Sequence, residues 1–211
     1  MNVPTTGTGP VVTLFESYGS GADQVARKVA EALGVEYLGQ RFSSEQLEEA
    51  EKVHESDGDG AFLRFFKRFG LENTDYLDNI LIPADQRNEY DLVIENNRTI
   101  NEATKSGGVV LGRNATVVLA DNPRALHVKL DGPVETRVAR AATEAGINLD
   151  RAAQRQVHED EVRADMSLRL YNWDPRLPDH YDLIINTGQL DDDVVAEIIV
   201  SACRAKATRA N

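Results

Sequence analysis

Hydrophobic positions in this chain follow two rhythms. Short unbroken apolar runs alternate with longer stretches in which apolar residues recur every three or four positions. The first run, 11–15, is β-branched and aromatic, as a central strand should be. After it Val25, Val29 and Leu33 fall at i, i+4 and i+8 with Ala26 and Ala30 beside them, which predicts a helix over 22–33 ending at Gly34. A short strand is expected at 35–38, then a helix capped by Ser43 or Ser44 and broken by the acidic stretch 55–60. Phe62, Phe65, Phe66 and Phe69 form an apolar face at helical spacing among Arg64, Lys67 and Arg68. A loop at 81–83 leads into a long helix over 84–105. Strands follow at 109–111, 125–130 and 181–186. Helices are expected from Pro133, which suits a first helical position, over 150–170 and over 191–207.

Strands that are nearly all apolar, alternating with helices, define an α/β protein with a parallel sheet covered on both faces. Ligands gather at the carboxyl ends of such strands. Glu16 to Gly21, Arg113, Asp131 and Asn186 all fall at predicted strand ends, so they should share one edge. Residues 1–10 read as a loose tail and 11–207 as one domain, with 40–105 as helical material inserted between two strands.

Composition narrows the class of partner. The chain has 211 residues and a net charge of −12, which disfavours long nucleic acids and anionic membranes. An anionic ligand would need a local arginine cluster. The single cysteine, Cys203, suits a reducing cytoplasm, and no apolar run reaches membrane-spanning length. The phenylalanine face at 62–69 is expected to be a buried helix face, and a homodimer through it is the other use it could serve.

The stretch between the first strand and helix carries the clearest chemistry. Gly19 and Gly21 allow a tight turn and a close backbone approach, and a helix start there aims its positive dipole end into the same space. That is one way to hold a phosphate. Judged as a G-x-x-x-x-G-K-[ST] loop ending on Gly21, the stretch departs at three places: Glu16 replaces the first glycine, Ala22 the lysine, and Asp23 the magnesium-binding hydroxyl. A plain strand-to-helix turn remains the alternative at this point.

Four motifs in order resemble the cytidylate kinase-like family: 16–38 (ESYGSGADQVARKVAEALGVEYL), 107–140 (GGVVLGRNATVVLADNPRALHVKLDGPVETRVAR), Asp160-x-x-Arg163, and 181–187 (YDLIINT). The resemblance implies a three-layer P-loop kinase fold: a five-stranded parallel core, an inserted acceptor subdomain, and a helical lid over about 150–178. It implies transfer of the γ-phosphoryl group of ATP, with Mg2+, to CMP or another small acceptor. Ser17, Tyr18, Gly19, Ser20, Gly21, Ala22 and Asp23 would then line the donor phosphates. Arg113, Arg163 and Arg155 would act on the transferring group. Arg113, Asn114, Arg98 and Arg87 would hold the acceptor. Glu16 stands where relatives carry arginine, and Asn114 where they carry an acidic residue. Met166, Ser167 and Leu170 replace aromatic lid residues, so the acceptor need not be CMP. Arg137 and Arg140 are expected in helix-surface ion pairs, and Arg163 has Glu159 one turn away as an alternative partner. A phosphotransferase is the leading expectation. A nucleotide-binding or regulatory protein without turnover and a protein-interaction module are the alternatives.

Overall fold

The computed structural model describes residues 9–40 and 89–209. The helix from Glu45, the acidic stretch 55–60, the phenylalanine face at 62–69 and Arg87 lie outside them. Two compact units divide the chain, one made of Met1–Gln40 with Asn97–Asn211 and the other of Arg41–Asn96.

The first unit is built on a five-stranded sheet in the order β2-β3-β1-β4-β5, with every pairing parallel. Its strands are β1 (Val11–Glu16), β2 (Tyr37–Leu38), β3 (Gly108–Leu111), β4 (Ala125–Asp131) and β5 (Leu183–Asn186). β1 lies in the middle, with Val11 opposite both Gly108 and Ala125. Strands 2 and 5 are shorter than their apolar runs because both are edge strands, paired on one side only.

Because the sheet is covered on both faces, neighbouring residues of one strand enter different cores. Val12 and Leu14 join Val109, Leu111, Val128 and Leu130 beneath α1 (Ala22–Leu33). The last helix packs on that face too, through Val195, Ile199 and Cys203. Val11, Val110 and Ala125 face the other way, against Ile100 of α2 (Glu89–Ala103) and Ala115 of the one-turn α3 (Ala115–Val118). The remaining helices are α4 (Val134–Ala145), α5 (Leu149–Tyr171) and α6 (Asp192–Arg209). α4 and α5 pack on each other through Val138, Ala142 and Ala152.

The connection leaving β1 runs toward β2, while the one leaving β4 runs toward β5, on the opposite side. The two strands are neighbours, so the crevice at their carboxyl ends is where an open α/β sheet takes its ligand. Among the described residues no helix is long and apolar enough to cross a membrane.

Candidate functional site

The glycine turn leaves the carboxyl end of β1 into this crevice. Ser17 is tied to β4, its amide donating to the Leu130 carbonyl at 3.0 Å, and Ser20 closes the turn onto the Ser17 carbonyl at 3.1 Å. Gly19 and Gly21 have φ of 75° and 77°, a region that favours glycine. Space excludes side chains as well. A Cβ on Gly19 would overlap the main-chain carbonyl of Arg137, and one on Gly21 would meet the Arg140 guanidinium. α1 starts at Gly21 with no side-chain cap, leaving its first amides to whatever occupies the crevice. The Ser20 hydroxyl is buried there without a hydrogen-bond partner.

Two of the loop's questionable residues turn out to be harmless to an anion. Asp23 faces away, accepting from Arg27 Nε at 2.7 Å and from the Tyr37 hydroxyl at 2.6 Å. Burial raises its carboxyl, but these two bonds outweigh that and hold it below the usual range. Ala22 is buried under the loop. Ser17 hydrogen-bonds the Asp131 carboxylate at the end of β4; burial pushes that group up, yet the Gly132 amide and Lys129 keep it low.

Arg137 and Arg140 are ion-paired, but not at the helix surface as expected. Arg137 is 5% exposed. Its Nη1 donates to the Tyr18 carbonyl at 2.7 Å and to Asp160 Oδ2 at 3.0 Å, and its Nε to the Gly132 carbonyl at 3.0 Å. Arg140 Nη1 donates to the Ser20 carbonyl at 2.9 Å and to Asp192 at 3.2 Å. Both therefore grip the glycine loop from α4. An i, i+3 pair of arginines after a strand carries that signal only once β4 is placed next to β1.

The arginines expected from the lid reach the same edge. Arg155 is buried and hydrogen-bonds the Tyr18 hydroxyl, whose pKa is raised mainly by its own burial. Arg163 Nη2 lies 2.6 Å from Glu159 Oε2 and 3.1 Å from Glu16 Oε1. The anticipated turn-to-turn pair with Glu159 is thus present, joined by a second carboxylate from β1. Gln40 also donates to Glu16. Desolvation raises the Glu16 carboxyl, with Arg163 and Gln40 pulling against it. Glu159 Oε1 and Arg163 Nη1 remain buried without hydrogen-bond partners.

Arg113 and Asn114 follow β3 with φ of 59° and 57°, after Gly112 at 67°. Consecutive left-handed residues with side chains are costly, and such strain concentrates at functional edges. Arg113 Nε donates to the Gly39 carbonyl at 2.7 Å. Asn114 Oδ1 accepts from Ser167 at 2.6 Å and from Trp173 Nε1 at 3.0 Å, bracing the end of α5. Arg98 lies on α2 and pairs with Glu102 at 3.3 Å.

Fold and loop together define an α/β protein with a glycine turn at the switch point of a parallel sheet, held by arginines from a neighbouring helix. The chain belongs to the cytidylate kinase-like family, whose model matches residues 11–189. It is 26% identical over 189 residues to the cytidylate kinase of Ignicoccus hospitalis, covering 90% of this chain and 96% of that one. The cytidylate kinase of Methanopyrus kandleri is 27% identical over 203 residues, covering 91% and 92%. Uronate isomerase of Corynebacterium glutamicum is 31% identical over 148 residues, 70% of this chain; the match spans only 28% of that protein's length. A solved structure of an uncharacterised protein from Eubacterium ventriosum shares the fold, with a TM-score of 0.65, 21% identity and coverage of 93% and 98%.

Proposed function

We propose that the protein is a phosphotransferase that moves the γ-phosphoryl group of ATP to a nucleoside monophosphate or another small acceptor. The observation that carries this reading is the convergence of Arg137, Arg140 and Arg155 on a loop whose glycines, uncapped helix start and orphaned Ser20 hydroxyl suit a phosphate. The cytidylate kinase relatives support it.

Phosphoryl transfer asks the protein for in-line positioning and positive charge around the equatorial oxygens. The amides of Tyr18 to Asp23 would hold the donor phosphates, with Ser17 at the loop's entrance. Arg163 and Arg155 would lie over the transferring group, and Arg113 would grip the acceptor. Arginine suits these roles because its planar fork binds phosphate oxygens in pairs. A magnesium ion carried on the nucleotide phosphates, as this ion often is, would supply charge neutralisation. The domain limits proposed for this activity are 11–207, with 150–178 as the lid.

The test is a thermal-shift screen of nucleotides with Mg2+, followed by a transfer assay on CMP and the other monophosphates. Arg113→Ala should cut turnover at least 100-fold with the fold intact, as checked by circular dichroism. A second reading, nucleotide binding without transfer, is favoured by one observation: Arg163 is held between Glu16 and Glu159. Its mark would be a raised melting temperature with ATP and no product from any acceptor.

A further inference from the structure

The peptide units around Tyr18 are clamped on both sides by one ion pair. The Tyr18 amide donates to Asp160 Oδ1 at 2.7 Å, the Tyr18 carbonyl accepts from Arg137 Nη1 at 2.7 Å, and that nitrogen lies 3.0 Å from Asp160 Oδ2. Gln156, one turn earlier on α5, donates to the same Oδ2 at 2.9 Å. The amide bond is at the short end expected for a charged acceptor. A carboxylate on a main-chain N–H at the mouth of a glycine loop is what a phosphate oxygen would be in the same place. Here the anion belongs to the lid.

We propose that Asp160 is the built-in occupant of the loop's anion position, a lid carboxylate that a ligand's phosphate group has to displace. The proposal rests on the phosphate-binding reading given above. The buried, unpartnered Ser20 hydroxyl points to a ligand in the same loop independently of Asp160. One amide N–H has one hydrogen to donate, so a phosphate oxygen taking the Tyr18 amide has to displace the Asp160 carboxylate from it. Asp160 is also placed to leave: its side chain is 27% exposed, whereas that of neighbouring Glu159 is fully buried against Arg163. Once Asp160 withdraws, Arg137 keeps its bonds to the Tyr18 and Gly132 carbonyls and turns its freed charge to the phosphate. Binding is thereby coupled to a rearrangement of α5 around 156–163. The ligand's apparent affinity is lowered by whatever holds Asp160 in place.

The experiment is calorimetric titration of Mg·ATP, at fixed ionic strength, into the wild-type chain, Asp160→Asn and Glu161→Gln. Asn can still accept from the Tyr18 amide, so the loop keeps its support while the competing charge is gone. Glu161 is exposed, and its variant removes the same charge one residue along without touching the loop. Asp160→Asn should bind at least tenfold more tightly than the wild type, and Glu161→Gln within twofold of it. Equal affinities for all three, equal tightening in both variants, or weaker binding by Asp160→Asn would overturn the proposal alone. Binding by none of them would overturn the phosphate-binding reading and the proposal with it. The wild type gives a second readout if the variant does not fold: the Asp160 carboxyl carbon resonance should shift on saturation with Mg·ATP, and a stationary resonance overturns the proposal.

Discussion

His127 shows how a single residue can record the chemistry of the core. It lies on β4 with 7% exposure, its Nδ1 sharing a hydrogen with Thr13 Oγ1 at 2.8 Å. Desolvation lowers its pKa to about 4, with Asp182 opposing and Lys206 and His180 assisting. The folded protein therefore keeps the ring neutral where the unfolded chain, near 6.5, takes a proton. That stabilises the fold fully above pH 6.5 and is lost as pH falls toward 4, by about 3 kcal/mol. Urea unfolding of the wild type and His127→Gln between pH 7 and 4 should show the gap in acid sensitivity. Asn114 offers a second residue-scale test. Asn114→Ala leaves the buried Trp173 N–H without an acceptor and should cost about 2 kcal/mol. Asn114→Asp keeps the acceptor and should cost less than about 1 kcal/mol, with the left-handed backbone tolerated by both Asn and Asp.

The loop between β1 and α1 is governed by its packing on α4. Gly19 and Gly34 have similar positive φ, 75° and 67°, but different surroundings: the carbonyl of Arg137 crowds Gly19, and nothing lies within 4 Å of a Cβ on Gly34. Gly34→Ala should therefore cost about 1 kcal/mol, the backbone penalty alone. Gly19→Ala has to move α4 or the loop as well and should cost clearly more, which urea unfolding of both variants checks. The two glycines were equally legible in the sequence, one as a turn and one as a helix stop. Their difference was not, because it depends on a helix more than 100 residues further along the chain. The same gap explains the misplacement of Arg137 and Arg140. Their spacing along α4 is that of any solvated ion-paired helix, and only the pairing of β4 with β1 brings α4 against the loop. The two bonds of Asn114 are hidden from the sequence for the same reason, since Ser167 and Trp173 lie more than 50 residues away.

At the scale of the whole molecule, the sheet is readable because its central strands β1 and β3 are buried on both faces and carry nearly unbroken apolar runs; β4 stays legible although His127 and Lys129 interrupt it, and the edge strand β5 although Ile184 is 51% exposed. The charge arrangement was readable only in outline. A chain of net charge −12 does concentrate arginines at the carboxyl edge of its sheet, but it threads carboxylates among them, and Arg163 is where this matters most for stability. Its guanidinium joins Glu16 from β1, Gln40 after β2 and Glu159 from α5. Arg163→Met would leave two desolvated carboxylates without this cation. The expected loss is about 3–5 kcal/mol, typical of breaking one partner of a buried pair. Lost activity in that variant would then report on folding as much as on catalysis. Adding Glu159→Gln should recover at least about 1 kcal/mol, because the second change removes the charge that the first left stranded. The deficit of Arg163→Met should also shrink in acid. The Glu16 carboxyl, already raised by burial, moves further up without Arg163 and takes its proton more readily in the folded state than in the unfolded one. A double-mutant cycle measured by urea unfolding at pH 7 and again at pH 5 checks both points. Additive losses that do not depend on pH would mean that Arg163 does not offset the burial of the Glu16 carboxyl.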